Sequence, residues 1–360
     1  MISLVLYYAL MAVCALGSVV AVFMAIMERD LLKAAIISAI QSTLYAFLYY
    51  LLMAPDIVLT YIPISVGLYP AILLFLIKKT ERFEEVETSR KVVSAVALSS
   101  IVFTILVASL VTAWGIGPVP PTNVRVLAFW YLRTTFNPFE HLISAMAPNG
   151  ITSIVWDYRG LDTVFETAVL FLAIIASVAL MRGVHHLGEY KPFHGLTLIA
   201  KTATRVIVPM IIGVGISIAL HGHLTPGGGF QGGSTLAVAP LLVLIVFSKY
   251  FFDSAKLTEE KALTIRSVGL LGIGLSCFIV LLLALAHHVP AYILQNQPRV
   301  GAPLGLPWRG FEGVLLGGSL LLFNTFEAMA VCAGFTILFI LLAIPEEVVR
   351  RIVLGGEEHG

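Results

Sequence analysis

The sequence predicts an all-α integral membrane fold, on three observations. Hydrophobic residues make up 59% of the 360 residues and charged residues only 12%, against about 45–50% and about 25% in ordinary soluble domains. Apolar runs recur that reach the roughly 20 residues a helix needs to cross a bilayer core of about 30 Å. Lysine and arginine collect in alternate loops between these runs.

Nine stretches fit the template of a spanning helix. They are approximately residues 3–27, 32–53, 57–78, 92–114, 162–183, 205–221, 234–252, 264–287 and 319–344. The last belongs to a longer apolar region that begins near Phe311, so a short re-entrant or tilted piece is expected before it. The first stretch lacks a basic n-region and a small-residue cleavage site, which favours a spanning helix over a signal peptide.

The basic loop residues predict the orientation, because cytoplasmic loops of membrane proteins collect Lys and Arg. With the N-terminus outside, 17 of the 22 basic residues fall on one side of the membrane. The other five are Arg125, Arg133, Arg159, Arg299 and Arg309. We therefore expect a multi-pass protein of the cell membrane with an external N-terminus and a cytoplasmic C-terminus.

Two polar stretches, 78–91 and 185–196, divide the chain into groups of three, two and four spans. The predicted modules are a three-helix module over 1–80, a two-helix module with an external loop over 90–185, and a four-helix module over 195–350. The near-neutral charge balance offers no basic face for nucleic acid. Three isolated cysteines, Cys14, Cys277 and Cys332, have no spacing suited to zinc, iron–sulfur or redox chemistry, so no metal site or catalytic centre is expected.

Charged residues inside spans are costly and need a partner, a cavity or a task. Asp162 and Glu166 are four residues apart, so both carboxylates lie on one side of the fifth span, where they suit cation capture or a proton relay. Alternatively, Arg159 and the helix N-terminus neutralise them. Glu327 is the deepest lone acid of the chain, and either transport or a structural hydrogen bond could retain it.

Further candidates for an ion or proton path lie at the edges of spans. Lys33 falls just inside the second span and Asp56 lies at the mouth of the third. Lys201, His221 and His223 flank or enter the sixth span. Lysine, histidine and carboxylate side chains can pass protons, and carboxylate and carbonyl oxygens suit a hard cation such as Na⁺.

The stretch HGHLTPGGGFQGG at 221–233 interrupts two apolar runs. Its glycines satisfy G-x-G-x-x-G, but a dinucleotide site needs a strand before this motif and an acid about 20 residues later, and neither requirement is met. A plain turn and a site at membrane depth remain open. We expect the glycines to allow close helix packing, Gln231 to satisfy exposed backbone, and the histidines to lie near a polar path. The motif residues are Gly227, Gly228, Gly229, Phe230, Gln231, Gly232 and Gly233.

GHLTPGGGFQGG, followed by an apolar span, resembles the signature of the B subunit of Mrp-type Na⁺/H⁺ antiporters and of its homologues in archaeal membrane-bound respiratory complexes. This resemblance covers about residues 195–345. DLLKAAI and APDIVLT, over about 1–80, resemble the DUF4040-type part of the large A-type polypeptide of these antiporters, and WDYRGLDTVFE, over about 90–185, resembles its carboxy-terminal part. Tyr61 stands where that family commonly has an acid.

The resemblance implies a membrane subunit of a multisubunit cation (Na⁺)/proton antiporter module, within an archaeal hydrogenase or sulfane sulfur reductase complex. The chain would carry no cofactor of its own, while Na⁺ and H⁺ would be transported. The implied partners are C-, D-, E-, F- and G-like membrane subunits, lipids and a redox arm with nickel–iron or iron–sulfur subunits. The chain would then belong to an ion-translocating oxidoreductase without holding its redox centre. The alternatives are a component of a stand-alone antiporter or a purely structural membrane subunit.

Overall fold

The structure is a computed structural model. It describes residues 4–77, 94, 97–102, 104–106, 109, 124–137, 139, 141–181, 195–306 and 317–344. Within these ranges the chain forms helices and loops with no β-strand, and eight helices are long and apolar enough to cross a membrane. The predicted all-α integral membrane class is therefore confirmed.

The helices are numbered here in chain order. They are α1 (Leu4–Met27), α2 (Leu31–Leu51), α3 (Pro55–Ile77), α4 (Ala97–Leu106), α5 (Val126–Thr135), α6 (Gly160–Leu180), α7 (Leu198–His221), α8 (Gly229–Phe247), α9 (Glu259–Ala286) and α10 (Ser319–Leu342). The predicted fourth span, 92–114, lies partly outside the described residues, and α4 is its longest described part. The apolar piece expected from Phe311 lies outside them as well.

The chain divides into two compact units, residues 1–124 and 125–360. In the first, α2 packs against α1 and α3. Asp30 caps α2, because its carboxylate accepts a hydrogen bond of 3.0 Å from the Leu32 backbone N–H. Residues Ile62–Leu68 of α3 are π-helical, and Pro63 there has no N–H to give to an α-helical bond.

In the second unit α10 is the central helix, in contact with α6, α7, α8 and α9. Its Phe323 is fully buried and stacks on Trp156, with ring centroids 4.4 Å apart. Trp156 belongs to a π-helical segment, Ser153–Tyr158, that precedes α6. Asn296 fixes the start of α10, since its side-chain oxygen accepts a hydrogen bond of 2.9 Å from the Ser319 N–H.

The helix α8 begins five residues before the predicted span, at Gly229 rather than at residue 234. Gly229, Gly232 and Gly233 are therefore helical, and they meet neighbouring backbone. A Cβ on Gly232 would lie 2.6 Å from the Cβ of Ala219 and 2.8 Å from the Gly215 carbonyl oxygen of α7. A Cβ on Gly233 would lie 2.8 Å from the carbonyl oxygen of Ala328 in α10. Small residues thus let three helices approach closely, as is typical of helix contacts in membranes.

We expect Gly232→Ala to destabilise the protein by about 1–3 kcal/mol, because the new methyl group meets backbone that cannot move aside. Gly274→Ala is the matched control, since a Cβ at Gly274 meets nothing within 4 Å and alanine is favoured over glycine in a helix by about 0.5–1 kcal/mol. Thermal unfolding of the detergent-solubilised protein measures both. An unchanged melting temperature for Gly232→Ala would contradict the packing described here.

A buried carboxylate at the start of a helix

The carboxylate of Glu327 lies at the N-terminus of α8. Glu327 is on α10, is 6% exposed, and accepts a hydrogen bond from the Phe230 backbone N–H. Gly229 makes this contact possible, because a side chain there would overlap the Glu327 carboxylate and the Asn324 backbone. The first N–H groups of a helix have no partner within the helix and form its positive end. A carboxylate is therefore the favoured group at this position.

The carboxylate also lies deep along its helix. Glu327 follows Ser319, the first residue of α10, by eight positions, which corresponds to about 12 Å at 1.5 Å per residue. Since Glu327 contacts the start of α8, that start also lies about 12 Å from the beginning of α10, measured along the axis of α10. The glycine stretch therefore reaches into the bundle before α8 begins.

Two side chains from residues 149–152 hold the glycine stretch in place. Asn149 donates hydrogen bonds to the carbonyl oxygens of Gly222 and Thr225, at 2.8 and 2.9 Å. Thr152 donates a 2.6 Å hydrogen bond to the same Gly222 oxygen. Non-helical backbone at membrane depth is tolerated where it is buried in protein and its polar groups are satisfied. The stretch meets this condition, which favours a buried site over a surface turn.

Two polar side chains beside the stretch are buried with unused hydrogen-bonding capacity. His223 is 2% exposed and Asn324 is fully buried. Neither their ring nitrogens nor their amide atoms make a hydrogen bond of normal geometry with a described residue. Burial, with a smaller contribution from the charge of His221, lowers the pKa of His223 below its usual value. Buried polar groups of this kind are ordinarily satisfied by ordered water.

The two acids predicted on the fifth span differ in environment. Asp162 is on the surface and forms an ion pair with Arg159, whose Nε donates a 2.7 Å hydrogen bond to it. Arg159 therefore neutralises Asp162, which was one of the two alternatives for this pair of acids. Glu166 is exposed, yet it lies close enough to Glu327 for their charges to interact. The structure therefore brings Glu166 and Glu327 close together and leaves Asp162 paired with Arg159 at the surface.

The remaining predicted residues lie elsewhere. Lys201 is half-buried in the first turn of α7, which begins at Leu198 and not at residue 205 as predicted. His221 is exposed, with Nδ1 3.1 Å from the Ser217 carbonyl oxygen. Lys33 is exposed and Asp56 is buried, and both belong to the first unit.

Sequence reasoning missed a buried arginine. Arg266 is 2% exposed; it donates a 2.8 Å hydrogen bond to the Phe171 carbonyl oxygen and lies 4.6 Å from the centroid of the Phe171 ring. The sequence placed it at the cytoplasmic edge of a span beginning at residue 264. Since α9 begins at Glu259, Arg266 is two turns inside the helix. Thr258 caps α9. If Thr258 had been recognised in the sequence as the start of the helix, Arg266 would have been placed inside it.

Sequence reasoning also missed an ion pair between Asp157 and Arg299, whose side chains are 2% and 22% exposed. Arg299 donates a second hydrogen bond, of 2.8 Å, to the Ser144 carbonyl oxygen. Burial raises the pKa of Asp157 above its usual value, while the Arg299 charge opposes this. The pair lines a cleft of about 570 Å³ between the segment before α6 and the loop after α9. Asp157 and Arg299 are 142 residues apart, so no local pattern could reveal their contact.

Two family models match this chain, one toward each end. A family model described as a domain related to the MnhB subunit of the Na⁺/H⁺ antiporter matches residues 199–337. A second model, MbhD, described as the D-type subunit of MBH, matches residues 16–82. The chain belongs to the Mrp-type membrane subunits, with two of them fused. The buried carboxylate site lies in the MnhB-related part.

Two curated relatives match parts of this chain. One uncharacterised protein of Methanocaldococcus jannaschii is 27% identical over 237 residues, covering 61% of this chain and 86% of that protein. Another from the same organism is 37% identical over 60 residues, covering 17% of this chain and 76% of that protein.

Two solved structures share the fold of this Mrp-type subunit. A chain of the Mrp complex from Dietzia sp. DQ12-45-1b superposes with a TM-score of 0.65 at 17% identity, covering 93% of this chain and 35% of that one. A chain of the membrane-bound sulfane sulfur reductase, an archaeal respiratory membrane complex, superposes with a TM-score of 0.51 at 26% identity, covering 70% of this chain and all of that one. This subunit thus spans about a third of the Dietzia chain, and it is a multi-pass membrane protein.

We expect Asp157→Asn to destabilise the second unit by up to about 3 kcal/mol, because it leaves the Arg299 charge unpaired. The loss falls below that of a fully buried pair, since Arg299 is 22% exposed. The double variant Asp157→Leu with Arg299→Met removes both charges and should recover most of the lost stability. Thermal unfolding in detergent compares the three proteins, and a double variant no better than the single one would show that the pair is not what matters.

Proposed function

We propose that this chain is a membrane subunit of a multisubunit Mrp-like cation/proton antiporter module and that Glu327 handles the transported Na⁺ or H⁺. The observation that carries the proposal is the position of the Glu327 carboxylate, buried deep in the bundle, beside Glu166 and beside polar groups with unused hydrogen-bonding capacity. Intramembrane ionisable residues ordinarily mark ion or proton pathways.

The chemistry of the site fits this task. Carboxylate and amide oxygens are hard ligands that suit Na⁺. Two carboxylates that approach one another in a low-dielectric interior are stabilised by a cation or a proton between them. Glu166 and Glu327 supply the carboxylates, and Asn324 supplies an amide oxygen. Ordered water at His223 would extend the polar route from Glu327 toward the end of the bundle where α8 and α10 begin.

The other predicted residues are proposed to assist transport at points away from Glu327. Asp162 stands at the exposed end of α6, where a cation could first be attracted, and His221 lies at the rim of the glycine stretch. Lys201, Lys33 and Asp56 would serve proton transfer at other points of the module. The proposed setting is the cell membrane, with the N-terminus outside and the C-terminus in the cytoplasm, as the basic loop residues indicate.

The parent complex is proposed to be an archaeal respiratory complex of the hydrogenase or sulfane sulfur reductase type. The similarity to the sulfane sulfur reductase chain over its full length supports this. The proposed partners are C-, D-, E-, F- and G-like subunits, with a redox arm that carries the nickel–iron or iron–sulfur centres. A stand-alone antiporter would contain the same membrane partners without that arm.

One observation favours a second candidate, a purely structural subunit. Glu327 caps the N-terminus of α8 through the Phe230 N–H, and this role alone could retain an acid there. The two functions make different demands on the side chain, because capping requires an oxygen acceptor whereas transport requires a group that can gain and lose charge.

We expect Glu327→Gln to abolish Na⁺-dependent proton movement in the reconstituted complex while assembly is kept, because the amide oxygen still caps α8 but cannot release a proton. Glu327→Ala removes the cap as well and should also reduce assembly. Fluorescence of a pH indicator inside liposomes measures transport, and size-exclusion chromatography measures assembly. Normal transport by Glu327→Gln would establish the structural role instead.

We further expect subunits carrying iron–sulfur centres to co-purify with an affinity-tagged form of this chain from its native membrane. Mass spectrometry and the iron content of the complex measure this, and a tagged cytoplasmic protein from the same cells is the control. A complex of antiporter-like subunits without iron would favour the stand-alone antiporter.

A further inference from the structure

We infer that the flank of α6 that carries Glu166 is covered, in the assembled complex, by a transmembrane helix of another subunit, and that this helix presents a basic side chain to Glu166. The inference rests on the proposed place of the chain in a multisubunit module. It adds an interaction surface and the chemistry of the partner that fits it.

The position of Glu166 along α6 places it inside the bilayer. It is exposed on the surface of the chain and follows Gly160, the first residue of α6, by six positions, or about 9 Å along the helix. With 21 residues, α6 is just long enough to span a bilayer core, so Glu166 lies within the hydrocarbon region. A carboxylate there is costly to leave against lipid, which means that another group must cover it.

The described surroundings of Glu166 supply no positive charge to it. The described neighbour whose charge reaches the site is Glu327, an acid like Glu166. Arg159 is engaged by Asp162 at the exposed end of α6. Arg266 is bonded to Phe171, which lies on the other flank of α6 by helical periodicity. Since no described basic residue serves Glu166, a complementary positive charge has to come from outside the described part of the chain.

The flank of α6 that carries Glu166 has a shape suited to another helix. Glu166, Val169, Ala173 and Ala176 follow one another at helical spacing on one side of α6, and all four are exposed. They are separate from Thr163 and Ile174, which α6 buries against its own unit. Small residues let a second helix approach closely. The flank thus offers an apolar, close-packing surface near its centre and an acid nearer the end at which α6 begins.

Two other occupants fit less well. The predicted fourth span, residues 92–114, contains no Lys, Arg or His, so it would cover Glu166 without supplying a positive charge. A second copy of this chain in a two-fold contact would present the same flank to itself and bring Glu166 against its own equivalent. A helix from a different subunit with a basic residue satisfies both the charge and the shape.

The test uses a photo-crosslinking phenylalanine analogue at Ala173 in the purified complex, with the same analogue at Ala168 as the matched control. Both alanines are exposed on α6, but helical periodicity places Ala168 on the opposite flank. We expect the Ala173 position to crosslink to a transmembrane peptide of another subunit with a Lys, Arg or His within about one or two turns of the attachment point, at least about ten times more than the Ala168 position. Crosslinks confined to lipid, to this chain or to a second copy of it, or to a peptide without a basic residue, would overturn the inference.

A charge reversal gives the second arm. Glu166→Lys should lower the yield of the crosslinked partner in co-purification at least about tenfold, because like charges meet in a desolvated contact. Glu166→Gln should have a smaller effect, and Asp162→Asn, at the exposed end of the same helix, should have little. Exchange of the partner's basic residue for Glu should restore association with Glu166→Lys. Unchanged association of Glu166→Lys, at a normal level of the chain in the membrane, would contradict the inference.

Neither arm measures transport. If the complex crosslinks as expected but transports normally with Glu327→Gln, the inferred contact is supported and the proposed role of Glu327 is contradicted. If the complex loses transport with Glu327→Gln but the Ala173 position crosslinks only to lipid, the proposed role of Glu327 is supported and the inferred contact is contradicted.

Discussion

The contact between the Glu327 carboxylate and the first turn of α8 is the interaction on which the second unit depends. α8 begins inside the protein, where bulk water does not reach its free N–H groups, so an acceptor has to come from a neighbouring helix. Glu327 provides it from α10, and Gly229 leaves the room that it needs. The same absence of side chains at Gly232 and Gly233 lets α7 and α10 reach the backbone of α8. The missing side chains of the glycine stretch therefore allow both the close packing of the helices and the hydrogen bond to the start of α8.

The polar groups of the glycine stretch are satisfied from another part of the sequence. Asn149 and Thr152 bond to the carbonyl oxygen of Gly222, across more than 70 positions of the chain. These two residues precede the MnhB-related region at 199–337, while Gly222 lies within it. Because both parts belong to one polypeptide, they are present in equal numbers and stay close together.

The two acids of the site are placed differently, and this bears on how the chain could act. Glu327 is enclosed by its own bundle, whereas Glu166 reaches the surface of the chain. On the proposed function, a proton that leaves Glu327 past Glu166 passes to the side chain that covers this flank of α6. The route would then be shared between subunits, and this chain would hold the enclosed half of it. Arg266, buried beside Phe171, adds a positive charge to the same bundle, and positive charge repels cations from that side.

The sequence by itself determined the class of fold, the approximate spans and Glu327 as a candidate, because each follows from local hydropathy or from a charge that a bilayer excludes. The density of glycines predicted close helix packing but left open whether the glycine stretch is a plain turn or a site at membrane depth. Only the tertiary structure decided that α8 begins at Gly229, that Glu327 caps it, that Asp162 and Glu166 have different surroundings, and that Asp157 pairs with Arg299. Each of these depends on residues far apart in the chain, and periodicity along one helix carries no information about which side chain a distant helix places against it.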